Sequence, residues 1–237
     1  MAADSGTRHL ERKVLRDRVY ESLVDMLMSG VLAPGTALSI DGLANDLAVS
    51  PTPVREALVH LERTGLVFRA PLRGYRVAPL LNADQIAQLC DARTIIELGA
   101  LELALQNPAG LADDLAMALA VHERVAGTVI GLPPDPAVIG TYRGYVTADW
   151  QFHNVIFQYS RNSYLMSAAE ALPMHLHRLR QSVTSGIHDA EDSLAEHAGV
   201  LSAVQDGDFA RALQAMREHL ANVKTRALRE VPPGTPD

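Results

Sequence analysis

Apolar positions recur along almost the whole chain at three- and four-residue spacing, the mark of helices that each bury one face. Leu15, Val19, Leu23 and Leu27 form the first stripe and Gly30 closes it, which predicts a helix over residues 8–29. Val31 to Thr36 read as a turn around Pro34-Gly35. Ile40, Leu43, Ala44 and Leu47 make a second, short helix. A third places Val54, Ala57, Leu58 and Leu61 inward and Thr52, Arg55, Val59 and Arg63 outward. Ser50 stands at its N-cap and Pro51 at its first position, where a missing N–H costs nothing, and Gly65 supplies a left-handed C-cap. The pattern then shortens: Leu66-Val67-Phe68-Arg69 and Tyr75-Arg76-Val77 can pair as strands around Pro71-Leu72-Arg73-Gly74.

Two short helices with inner apolar faces, a tight turn between them and a hairpin behind follow the logic of a winged helix-turn-helix. In that arrangement the second helix enters the DNA major groove N-terminus first, and Ser50, Thr52, Arg55, Arg73 and Gly74 are the candidate DNA contacts. After a linker at 79–82, Asn82 and Gln85 make a capping box, and the sequence reads as six antiparallel helices. Their expected spans are 83–106, 110–127, 138–160, 163–185, 189–205 and 208–228, with a kink at Pro173. The fold class is therefore mainly α, a winged helix-turn-helix over 8–78 followed by an all-α bundle over 83–230. Disorder is expected at 1–7 and at 231–237, where three prolines fall.

The formal net charge of −7 argues against DNA binding until it is divided along the chain. Residues 1–80 carry 10 Lys and Arg against 9 Asp and Glu, whereas residues 81–237 carry 11 against 19. Five arginines and two glutamates fall within 51–80, where phosphate attraction needs them. No apolar run approaches the ~20 residues that span a bilayer, and no signal peptide is legible at the N-terminus. The single cysteine, Cys90, fits a buried apolar position in a reducing cytoplasm.

Chemistry enters where the bundle breaks its own pattern. Along 138–160 the inward stripe runs Tyr142, Tyr145, Asp149, Phe152/His153, Ile156, so Asp149 and His153 lie side by side at i, i+4. His197 interrupts the stripe Leu194, Leu201, Val204, and His219 interrupts Ala212, Met216, Leu220, Val223. His197 lies ten residues before Gly207 and His219 twelve after it, so across a hairpin they come level within about one turn. A lone inward histidine is usually a satisfied core residue, but three imidazoles and a carboxylate converging in an apolar interior suit a divalent transition metal. Zinc is the first choice, and nickel, cobalt or manganese also fit. His60, His122 and His188 read as surface residues, and His175 and His177, two apart, cannot chelate together. Arg93 shares a helix face with Glu97, so it is either an ion-pair partner or a fork for an effector carboxylate.

The segments VSPTPVREALVHLERTGLV and PLRGYRV resemble the winged helix-turn-helix of the GntR family of bacterial transcription regulators. DARTIIELGALELA, ADWQFHNVIF and EHAGVLSAVQDGDFARALQAMREHL resemble the effector-binding FCD domain of its FadR subfamily. The resemblance spans roughly residues 10–228 and implies a homodimeric repressor bound to a pseudo-palindromic double-stranded DNA operator and answering to a small organic acid. It also implies metal ligation by Asp149, His153, His197 and His219 and effector binding by Arg93. Ser50-Pro51-Thr52-Pro53 departs from the usual Ser-Arg-Thr-Pro, so recognition falls more heavily on Arg55 and the wing. The loop over 131–136 is longer than usual. A metal-dependent hydrolase and a pure metal sensor are the alternative functions. No catalytic residue is assigned, because no general base lies within helical reach of the histidines and Glu196 points about 100° away from His197.

Overall fold

The computed structural model describes residues 3–172 and 174–231, without the side chains of 3–13, 136, 174, 175, 181, 183 and 184. Val231 is thus the last described residue of the expected disordered tail, and the rest of that tail and the expected kink residue, Pro173, lie outside the description. The chain forms two compact units that divide between Leu80 and Leu81.

In the first unit α1 (Ala3–Met28) begins inside the segment expected to be disordered. Then come β1 (Ala37–Leu38), α2 (Ile40–Asp46), α3 (Pro51–Arg63), β2 (Val67–Ala70) and β3 (Gly74–Val77). The strands form an antiparallel sheet in the order β1-β3-β2, with Leu38 opposite Tyr75 and Phe68 opposite Arg76. Val19, Leu23, Leu27, Val54, Leu58, Leu61 and Val77 are buried, so the predicted inner stripes make the core except at Leu15, which is exposed. Ser50 caps α3 by position, yet its hydroxyl makes no cap bond. Pro51 and Pro53 remove N–H groups from the first turn, which leaves that hydroxyl few donors to accept from. Gly65 takes φ +69°, as a left-handed C-cap requires.

The second unit is helical: α4 (Ala83–Ala104), α5 (Leu111–Ala126), α6 (Ile139–Tyr159), α7 (Ser163–Ala171), α8 (Met174–Ser185), α9 (Ala190–Gln205) and α10 (Phe209–Arg229). Both bonds of the Asn82/Gln85 capping box are present at the start of α4. The single helix expected over 163–185 is instead two, because Leu172 is extended (φ −99°, ψ 90°), the conformation that a following proline imposes. The long 131–136 loop is held where Tyr142 donates its hydroxyl proton to the Pro133 carbonyl at 2.8 Å. Leu101, Leu111, Leu115, Phe152, Val200, Leu201, Met216 and Leu220 belong to one core that α4, α5, α6, α9 and α10 build together. Cys90 is buried in a smaller cluster with Ile86 and Val223.

Candidate functional site

Within the first unit, every predicted DNA contact is on the surface: Ser50, Thr52 and Arg55 at the start of α3, Arg73 and Gly74 at the wing tip. Arg16, Arg55, Val59, His60 and Arg63 line an open cleft of ≈ 460 Å³ whose only acid is Glu56. The wing is stiffened from behind, since Arg76 donates to the Gly35 carbonyl at 2.7 Å and Arg69 lies 5.8 Å from the Tyr75 ring centre. Leu72 stands fully exposed at the tip with φ +59°.

Within the second unit, the interior of the bundle is polar at one level. α6 contributes Asp149 and His153, α9 His197, α10 His219, α4 Arg93 and Glu97, and α5 His122; all are buried. His197 Nε2 lies 3.2 Å from His153 Nε2 and 3.3 Å from His219 Nε2. Bonds of about 2.0–2.1 Å at tetrahedral angles would put ligand nitrogens about 3.3–3.4 Å apart, so both pairs through His197 have the spacing a metal needs, and ligand atoms of all three lie within 4.8 Å of one another. Their outer nitrogens are held. His153 Nδ1–H donates to Glu97 Oε2 at 2.5 Å, and His219 Nδ1–H donates to Glu196 Oε2 at 2.7 Å. A carboxylate on the outer nitrogen fixes the proton there and leaves the Nε2 lone pair pointing inward, which is the usual support of a metal-binding histidine. Phe152 stacks on His197 with ring centres 4.1 Å apart, and Trp150 stacks on His153.

The fourth expected ligand is placed differently. Asp149 falls in a second group with His122 and His197, not with all three inner histidines together. Its Oδ2 accepts from Arg178 at 3.0 Å and its Oδ1 from Ser193 at 2.9 Å. Arg178 also donates to Asp189 at 2.8 Å, and Arg226 bridges Asp189 and Glu196, so the acids around the centre are neutralised by two arginines from outside. Arg93 makes the expected ion pair and adds a contact that the sequence did not indicate. It pairs with Glu97 within α4, and its Nη2 donates to His153 Nε2 at 3.0 Å, on the nitrogen that faces the centre.

The electrostatics follow from this burial. Burial alone would push the Glu97 carboxyl up, but Arg93 and His153 outweigh it and hold it at about 2. Asp149 is likewise held well below its ordinary range, since Arg178 and the imidazoles overcome its burial. Burial depresses His197 far below 6.5 and brings His219 to about 4, against the opposing pull of Glu196. The inner imidazoles His197 and His219 are thus neutral at pH 7.

One histidine expectation needs correction. His122 is fully buried, not on the surface, and its Nδ1 lies 3.3 Å from His197 Nδ1. The signal was present: Leu115, Ala118/Leu119, His122 and Ala126 form a helical stripe. Glu196 does point away from His197, yet it reaches His219 on the next helix. His177 is buried as well, while His60 and His188 are exposed and the His175 side chain lies outside the description. Arg178 carried no sequence signal, because its partner Asp149 is 29 residues away on another helix.

The FCD domain model matches residues 88–222, more than half the chain, and the model of the bacterial regulatory proteins of the gntR family matches residues 15–77. An HTH-type transcriptional regulator from an unstable DNA locus of Streptomyces ambofaciens is 29% identical over 228 residues, covering 88% of this chain and 83% of that protein. A probable D-xylose utilization operon transcriptional repressor of Paenarthrobacter nicotinovorans is 25% identical over 218 residues, 92% of this chain and 91% of that one. Among solved structures, Escherichia coli McbR/YncC has the same fold, with a TM-score of 0.65, 24% identity and coverage of 91% of this chain and 97% of that one.

Proposed function

This chain belongs to the gntR family of bacterial regulatory proteins and carries an FCD domain, and from that premise we propose that its hold on DNA is set by a small carboxylate effector acting at a divalent metal in the second unit. It is a transcriptional regulator, not an enzyme, because the family models and the relatives are all regulators. Two copies would present two α3 helices to a pseudo-palindromic operator in the cytoplasm, and repression is the expected outcome. No helix among the described residues is long and apolar enough to cross a membrane.

The observation that supports the metal is the convergence of the Nε2 atoms of His153, His197 and His219, with the outer nitrogens of His153 and His219 held by Glu97 and Glu196. His153, His197 and His219 would hold the ion, zinc being the first choice, with Asp149 the nearby carboxylate able to complete the set. A metal there supplies a Lewis-acidic position for an anion. The chain's own residues do the rest. The His153 Nε2 lone pair can serve one partner, so if His153 held an ion, Arg93 Nη2 would lose that acceptor and could turn to a carboxylate while its Nε stays on Glu97. Effector binding should therefore depend on metal loading. Differential affinity of the effector for two arrangements of the dimer would then shift operator occupancy.

A pure metal sensor is the second reading. The cavity beside Arg93 and Trp150 holds only about 10 Å³, room for a single water. Metal analysis of the purified protein, then thermal shift with a panel of organic acids with and without chelator, decides between them. Acids that stabilise only the metal-loaded protein, and lose that effect in Arg93→Ala, support the effector reading. Stoichiometric metal with no acid response, and operator binding that answers to chelator alone, gives the sensor. Absence of metal after reconstitution overturns both.

A further inference from the structure

Two of the three inner histidines have a carboxylate on the outer nitrogen, and the third does not. The outer nitrogen of His197 faces another imidazole, that of His122, at 3.3 Å between the two Nδ1 atoms. One of the two must donate and the other accept. The choice matters, because a proton on His197 Nε2 would block the centre, whereas a proton on its Nδ1 leaves the Nε2 lone pair free.

His122 decides it from its far side. His122 Nε2 lies 3.8 Å from Asp149 Oδ1, and it makes no hydrogen bond within ordinary range. If His122 Nδ1 carried the proton, its Nε2 lone pair would face an ionised carboxylate in a fully enclosed site, two acceptors opposed. With the proton on Nε2 the N–H points at the negative charge. His122 Nδ1 is then an acceptor, and it takes the proton of His197 Nδ1–H. The arrangement is otherwise rigid, since the His122 ring is in contact with both Tyr145 and His197 and has no exposed atom. We propose that His122 is a positioning residue of the metal centre, which relays the charge of Asp149 to His197 and fixes its proton on Nδ1 so that Nε2 faces the ion.

The inference rests on the metal reading above, but its core concerns a tautomer that exists without metal. His122 as a second ligand set with Asp149 and His197 is the rival, and the position of Arg178 weighs against it, because a second cation would sit beside a guanidinium already bonded to Asp149.

Two variants and two readouts test it. His122→Phe keeps a ring of similar shape without nitrogens, and His122→Gln keeps an acceptor for His197 and a donor for Asp149. The His197 tautomer is read from long-range 1H–15N correlation of the imidazoles in chelator-treated protein, and zinc(II) affinity from competition with a chromophoric chelator. Wild type should show the His197 proton on Nδ1. His122→Phe should move it to Nε2, in whole or part, and weaken zinc binding by about 10- to 100-fold, the usual loss for an orienting partner. His122→Gln should restore both. A wild-type proton on Nε2, or unchanged tautomer and affinity in His122→Phe, overturns the proposal. Two zinc ions per chain, one of them lost in His122→Phe, would also overturn it by making His122 a ligand. If wild type binds no zinc, the metal reading fails by itself, and the tautomer measurement still decides the relay.

Discussion

The two units place their polar residues by opposite rules. In the first, the residues expected to meet DNA are exposed side chains on a small apolar core, and their charge stands in water. In the second, the distinguishing polar residues are buried or half-buried, and these charges have partners: Glu97 has Arg93 and His153, Asp149 has Arg178, Glu196 has Arg226 and His219. Surface charge costs the fold almost nothing and can be changed freely by selection for a new operator. Buried charge is tolerable only as a complete network, because removing one member strands another without water. Under the proposed function, specificity for DNA and response to a ligand would thus be built from parts with very different mechanical consequences.

The largest expected effect comes from breaking the buried network at its centre. Glu97→Ala strands Arg93 inside the bundle and should lower stability by about 3–5 kcal/mol, measured by denaturant unfolding of metal-free protein. A loss below 1 kcal/mol would mean that the centre is wetter than its burial indicates.

Acid should act on the same unit. The folded-state His219 pKa of about 4 lies below its unfolded value of 6.5, so only the unfolded chain gains a proton as the pH falls between them. Stability of metal-free protein should therefore be full above pH 6.5 and decline toward pH 4, by on the order of 3 kcal/mol for this one group. Glu97 and Glu196, both held at about 2, add their loss only below about 4.5. A thermal midpoint that is flat from pH 7 to 4 would show that the imidazoles are not buried as neutral groups.

The first unit should respond in the opposite way. Arg55→Ala should leave unfolding stability within about 0.5 kcal/mol and still weaken binding to a selected operator by about 1–3 kcal/mol, read by gel shift at fixed salt. Equal losses of fold and binding would erase the contrast between the units. Gly74→Ala is the mildest change. Nothing lies within 4 Å of the added Cβ, so only the φ of +74° is strained, at about 1–2 kcal/mol localised to the wing.

Much of this was readable from residue order. Inner stripes located α2 and α3, and the same spacing set Asp149 beside His153 and brought His197 level with His219, because helical period is a local property of the chain. That period also held His122, in line with Leu115, Ala118/Leu119 and Ala126, although it reads as a surface residue when taken alone. The two-residue strand β1 left no trace, as a strand that short has no alternation to read and exists only through its pairing with β3.

By itself, then, the sequence determined which residues face inward and at what height along each helix, and with them the family. Only the tertiary structure decided who meets whom: Glu196 with His219, Arg178 with Asp149, His122 with His197. The reason is physical. Periodicity fixes the direction of a side chain about its own axis, whereas the partner of a buried charge is chosen by how whole helices pack, through contacts between residues far apart in the chain.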